Sequence, residues 1–249
     1  PVMAAAHLAP IRVGCSGWSY PHWRGRFYPE DLRAAEWFAY YADSFDTVEI
    51  NNSFYKLPTA AAVAQWAAQA PEGFLYAVKV NRFITHMKKL KQPAEPLQRF
   101  VTTIKGLGAH LGPLLYQLPP HWRCNLDRLK EFLAILPPDL VHVFEFREPS
   151  WLNDEVFTAL DERGASLCVH DMHGIDVPRV AVGRVAYVRF HGTGLWYSGA
   201  YASATLQACA AWLRAQAAAG RTGFAYFNND AEAQAVIDAR RLLRLLGEG

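Results

Sequence analysis

The sequence predicts an α/β fold, a single (β/α)8 barrel of the TIM type, on three observations. Eight short strand-like runs alternate with segments of helical periodicity, with no break in composition to mark a second domain. The length, 249 residues, is that of one such barrel. Four of the runs alternate apolar with ionic or amide residues in one phase: Val48-Glu49-Ile50-Asn51, Val78-Lys79-Val80-Asn81, Phe144-Glu145-Phe146-Arg147 and Val188-Arg189-Phe190-His191. Side chains on a strand point alternately to opposite faces, so each run offers one apolar and one polar face. A doubly wound open sheet would bury both faces of its central strands and make them continuously apolar. The ionic alternation therefore favours a barrel whose upper interior, at the C-terminal strand ends, is polar.

In chain order, residues 1–10 are read as an N-terminal extension and 11–249 as the barrel domain. The first strand is read at 11–16, followed by a long loop, 17–30, and a helix at 31–44. Strand two at 47–51 leads to a helix at 59–70, and strand three at 74–81 to a long loop, 82–94, and a helix at 95–108. Strand four at 112–118 precedes a helix at 125–136, and strand five at 140–147 a helix at 153–163. Asp127 and Asp154 fall in the first turns of these two helices, where a carboxylate complements the exposed amides. After strand six, 166–171, the stretch 172–184 is too short and too punctuated by Gly and Pro for a full helix, so that helix is expected to be weak or missing. Strand seven at 185–191, the loop 192–202, a helix at 203–219, strand eight at 223–228 and a helix at 231–246 complete the pattern.

The polar faces gather the candidate site. Glu49, Glu145 and His191 are the candidate acid/base groups, His191 because imidazole titrates nearest neutrality. Arg147, Arg189 and Lys79 outnumber the two glutamates and form a candidate anion clamp, since a guanidinium fork matches carboxylate or phosphate geometry. Asn51, Asn81, Gln117, Asn228 and Asn229 are candidates to orient a polar ligand, with capping and loop bracing as the equal alternative for any one of them, and Trp18 and Tyr20 in the first mouth loop are candidates to pack against it. The competing reading is internal: Glu49 and Lys79, at matching heights on consecutive strands, would form a buried ion pair. A nearby carboxylate would raise the Lys79 pKa, which ranks Schiff-base chemistry low for it. His86, in the loop after strand three, is a weaker proton-transfer candidate.

Composition excludes several classes. The formal charge of +2 gives no global pull toward nucleic acid or anionic membrane. Cys15, Cys124, Cys168 and Cys209 form no Cys-x-x-Cys pair, so neither a zinc knuckle nor a disulfide framework is indicated, and a cytoplasmic setting is expected. The opening residues lack the basic and apolar regions of a secretion signal, and no apolar run is long enough to suggest a membrane span. No dinucleotide fingerprint, P-loop or nucleophile elbow occurs, so no cofactor is expected. A divalent metal on Glu49, Glu145, Asp171 and His191 is the minority reading, because Lys79, Arg147 and Arg189 would repel a cation.

Several segments carry a family resemblance: Gly14-Cys15-Ser16-Gly17-Trp18-Ser19-Tyr20, Val48 to Tyr55, Ile84-Thr85-His86, Tyr116-Gln117-Leu118-Pro119-Pro120, Glu145-Phe146-Arg147 with Ser150-Trp151, Arg189-Phe190-His191-Gly192, and Tyr226-Phe227-Asn228-Asn229. Together, and in this order from about residue 11 onward, the chain resembles the family catalogued as domain of unknown function 72, also called YecE-like. The resemblance implies a TIM barrel and supplies no accepted reaction. Asp230 replaces the family's usual small hydroxylated residue, adding a negative charge near the end of strand eight, and Cys15 stands where Thr is common.

The leading expectation is an enzyme, a hydrolase, isomerase or lyase, acting on a small polar anion such as a sugar phosphate or sugar acid. The alternatives are a metal-dependent nucleic-acid repair barrel and a non-catalytic ligand-binding or scaffold barrel. No oligomeric state follows from the sequence.

Overall fold

The computed structural model describes residues 8–247. The N-terminal extension read at 1–10 therefore lies largely outside the described residues. Eight strands run in chain order: β1 Ile11–Cys15, β2 Thr47–Ile50, β3 Leu75–Lys79, β4 Leu111–Gln117, β5 His142–Glu145, β6 Ser166–His170, β7 Val185–Phe190 and β8 Thr222–Phe227. From β2 to β8 each strand pairs in parallel with its sequence neighbour, and β8 pairs with β1, giving a nearly closed barrel. The α-helices are α1 Trp37–Ser44, α2 Asn52–Tyr55, α3 Ala60–Gln69, α4 Ala94–Ile104, α5 Leu126–Ile135, α6 Asp154–Glu162, α7 Ser203–Ala218 and α8 Gln234–Gly247. The expected gap is real, for no helix lies between β6 and β7. The one-turn α2 and a π-helical turn at Phe83–Met87 go beyond the expected elements. Among the described residues no helix is long and apolar enough to cross a membrane.

Local chemistry explains the boundaries. Thr59, Asn125 and Asn153 accept from the amides of Ala62, Arg128 and Val156, capping α3, α5 and α6. Asp127 and Asp154 sit in first turns as expected. The strands' outward side chains, such as Val48, Val78, Phe144 and Val188, pack under the helices in one large core. The inward side chains form a second apolar cluster inside the barrel, with Ala77, Leu115, Val143, Cys168, Tyr187 and Tyr226 among its members. That plug fills the lower barrel and leaves the polar layer above it.

The seam between β1 and β2 is closed differently from the others. Its only strand-type contact is the bridge between Ser16 and Glu49, reinforced by the Gly17 amide donating to the Glu49 carbonyl at 2.8 Å. Below it the Tyr41 hydroxyl of α1 inserts between the strands, accepting from the Cys15 amide and donating to the Thr47 carbonyl, both at 2.8 Å. The approach requires Gly14, since a Cβ there would lie 2.2 Å from the Thr47 carbonyl oxygen.

Candidate functional site

The same-phase alternation places Glu49, Lys79, Gln117, Glu145, Arg189 and His191 in one buried polar layer above the apolar plug. Arg189, only 1% exposed, is its centre. Its Nε and Nη2 donate to Glu49 Oε1 at 3.0 and 2.7 Å, and its Nη1 to Glu145 Oε2 at 2.9 Å. Glu49 is completed by the Ser16 hydroxyl on Oε1 at 2.7 Å and the Tyr187 hydroxyl on Oε2 at 2.5 Å. Glu145 is completed by Gln117 Nε2 on Oε2 at 3.0 Å, and by Arg147 Nε and His191 Nε2 on Oε1 at 3.1 and 3.0 Å. All four carboxylate oxygens are engaged, the arrangement that two fully buried glutamates require.

The electrostatics follow. Burial alone would raise the Glu145 pKa, but Arg147, Arg189 and the His191 hydrogen bond outweigh it and hold the carboxyl well below its usual range. Burial opposes the charge on Arg189, and the two glutamates more than restore it. His191 is pushed down to about 3, by burial first and then by repulsion from Arg189 and Arg147, against the pull of Glu145. The His191–Glu145 contact is thus a hydrogen bond from a neutral imidazole. With Nε2–H donated to Glu145, Nδ1 is left a buried acceptor without a partner among the described residues. The expectation that His191 titrates near neutrality is corrected: desolvation dominates at this depth.

Lys79 differs from its neighbours. The expected pair with Glu49 does not form, because the parallel register sets Glu49 opposite Ala77 and carries Lys79 one inward position nearer the mouth. Among the described residues its ammonium makes no hydrogen bond or ion pair, and it lies over the Phe54 ring of α2, 4.0 Å from the centroid. At 8% exposure, burial and then repulsion by Arg189 bring it down to about 7, against the attraction of Glu145 and Glu49. His86 packs edge-on against the same Phe54 ring, with centroids 4.9 Å apart, and burial and Lys79 lower its pKa to about 4.

The structure separates the remaining candidates. Arg147, its side chain 14% exposed, faces the opening, whereas Arg189 has spent every nitrogen on the glutamates and braces the layer. Asn81 is a loop brace, donating to the Ser53 carbonyl and accepting from the Phe83 amide. Asn229 is fully buried, donating to the Gly199 carbonyl and to Asp238, and so anchors the loop after β7. Gln117 orients Glu145. Asn228 follows the inward phase of β8 and its side chain makes no hydrogen bond among the described residues. Asn51, Trp18 and Tyr20 line a cleft of about 300 Å³ with Trp66 of α3, and the Asn51 Oδ1 has no partner among the described residues. Asp230 is tied to the first loop through His22 at 3.0 Å. The sequence reading missed Ser16, Tyr187 and Phe54; the alternation that selected Arg189 also selects Tyr187, two residues earlier on the same face.

Glu145, His170 and His191 bring possible ligand atoms within 4.8 Å of one another. The donor set suits a cation poorly. His170 Nδ1 accepts from the Met172 amide at 3.2 Å, which puts the proton on Nε2, and Nε2 lies 2.7 Å from the Phe146 carbonyl. Both nitrogens are committed, and two guanidinium groups already share Glu145.

Comparison with known proteins agrees with the fold. A DUF72 family protein from Thermotoga maritima superposes with a TM-score of 0.87 over 96% of this chain and 99% of its own, at 26% identity. A DUF72 family protein from Enterococcus faecalis superposes at 0.76 over 95% of each chain, and at 18% identity it speaks to the fold alone. The UPF0759 protein YunF of Bacillus subtilis is 25% identical over 206 residues, 73% of this chain and 70% of its own. Residues 12–249 match the family described as Protein of unknown function DUF72, and with nearly the whole barrel inside that match, the chain belongs to this family.

Proposed function

We propose that the barrel mouth binds a small polar anion, a carboxylate or phosphate monoester, and moves protons on it through the His191–Glu145 pair. The observation that carries this reading is Lys79, a largely buried ammonium with no counter-ion among the described residues, in a layer whose carboxylates are fully engaged. A buried charge is costly unless paired, so the layer lacks one negative group, and an anion supplies it. Arg147 contributes the second contact from the rim, Asn228 orients the ligand, and the bound anion, by offsetting the repulsion from Arg189 and Arg147 that helps hold His191 low, lets Nδ1 accept the proton, with Glu145 fixing the tautomer. A purely structural ion network would leave no such excess, which argues against the scaffold reading.

Titration of inorganic phosphate, followed by calorimetry, tests the reading. Wild-type protein is expected to bind it more tightly below the Lys79 pKa than above it, and Lys79→Met and Arg147→Met to lose most of that affinity. Absence of binding at millimolar phosphate, or binding indifferent to both substitutions, refutes it. A second reading, a phosphodiester chain, is favoured by one observation: the segment after β3 exposes Arg82, Lys88, Lys89 and Lys91 beside Phe83 and Met87. Tight, salt-dependent binding of a single-stranded oligonucleotide would move the conclusion to that reading.

A further inference from the structure

We propose that Lys79 is a nucleophile, its amine condensing with the carbonyl carbon of a small anionic aldehyde or ketone to form an imine. The inference draws only the substrate's charge from the anion reading; the nucleophile stands on its own surroundings. An ammonium at this depth is ordinarily locked by a carboxylate, and here both candidates are taken. Glu49 is filled by Ser16, Tyr187 and Arg189, and Glu145 by Gln117, Arg147, Arg189 and His191. The Phe54 ring covers one side of Nζ, its centroid 4.0 Å away; its π face attracts the ammonium but brings no negative charge to neutralise it. The charged and titratable groups acting on Lys79 are Arg189, Glu145, Glu49 and Arg147, with His86 across the Phe54 ring. Their balance, with burial, leaves a large part of the amine unprotonated at neutral pH, the state that attacks a carbonyl.

The chemistry balances without any further reagent. The Nζ lone pair forms the C–N bond as the carbonyl π pair moves to oxygen, which takes up a proton. Nitrogen gives up a proton, and the carbinolamine hydroxyl, protonated in turn, leaves as water. Ammonium and carbonyl become protonated imine and water, so the positive charge that holds the anion persists through the step. His86 is the neutral carrier beside this centre, its Nδ1 hydrogen-bonded to Thr85 Oγ1 at 2.8 Å and its Nε2 without a partner among the described residues. In this assignment Arg147, at the rim, holds the substrate's anionic group while the carbonyl faces Lys79.

Reductive trapping tests the assignment. The full chain is incubated near neutral pH with pyruvate and cyanoborohydride, and the product is mapped by peptide mass spectrometry. At neutral pH an amine with a pKa near 7 has roughly a thousandfold larger unprotonated fraction than an ordinary lysine. The expected result is one attached pyruvate, at Lys79, in preference to exposed Lys88, Lys89 and Lys91. Lys79→Arg is expected to abolish that adduct, and Arg147→Met to slow trapping of pyruvate more than that of uncharged acetaldehyde. Because wild-type site selectivity is itself decisive, the test survives a variant that fails to fold. Adducts scattered over surface lysines with none favoured at Lys79 overturn the proposal, and they do so with the anion reading intact if phosphate still binds. Trapping of acetaldehyde at Lys79 without phosphate binding supports the nucleophile and removes the anion reading.

Discussion

Replacing Lys79 with Met keeps the length and the apolar stem but removes the charge, and the pH dependence of the difference measures what burying that charge costs. The Lys79 pKa falls from 10.5 to about 7 on folding, so between those values the unfolded chain binds more protons than the folded one. Wild-type stability relative to Lys79→Met must therefore rise as pH rises through this window and level off below it. At 1.36 kcal/mol per unit, the full depression corresponds to about 5 kcal/mol, of which about 3 kcal/mol falls between about pH 6.5 and about pH 9.5. Local relaxation and water at the mouth make these upper values. His86 is neutral throughout that range, so the difference isolates Lys79. Urea unfolding of both proteins across the range gives the curve. A gap between wild type and Lys79→Met that stays constant with pH would mean that Lys79 is ordinarily solvated or paired, and both proposals would lose their footing.

Two further outcomes follow from the same layer. Arg189→Met strands Glu49 and Glu145 in the interior, a loss of about 3–5 kcal/mol expected for breaking a buried pair, read as a large drop in melting temperature. Arg189→Lys should recover little of it, because one ammonium cannot span two carboxylates as the fork does. Nitrogen NMR of the imidazoles should find His191 neutral from mild acid upward, since its pKa is held near 3; a midpoint near 6.5 would refute the burial argument.

Much of this fold was legible because barrel strands announce their phase. The same-phase ionic runs identified which side chains meet inside, and the Gly- and Pro-broken stretch after β6 announced the missing helix. Register was not legible. Glu49 and Lys79 occupy like positions in their runs, yet the stagger between parallel strands offsets them by one inward position, which gives Glu49 to Arg189 from across the barrel. Which of the amides brace loops was equally hidden. Asn81 and Asn228 occupy like positions at strand ends, and only the turn that follows β3 turns Asn81 onto its own loop. Burial depth also escaped the sequence, which is why a histidine expected to titrate near neutrality is held neutral.

The Tyr41 hydroxyl has a meaning beyond closure. A barrel escapes the hazard of open sheet edges only if its last pair of strands is sealed, and unpaired edges are templates for intermolecular pairing. Along most of the β1–β2 seam, sealing is delegated to one phenol from an outer helix. The loosening of α1 therefore uncovers two strand edges at once, and protection of the Cys15 amide from hydrogen exchange reports the docking of that helix as well as the pairing of strands. In this barrel, the cover over two strand edges is a property of a helix as much as of the sheet.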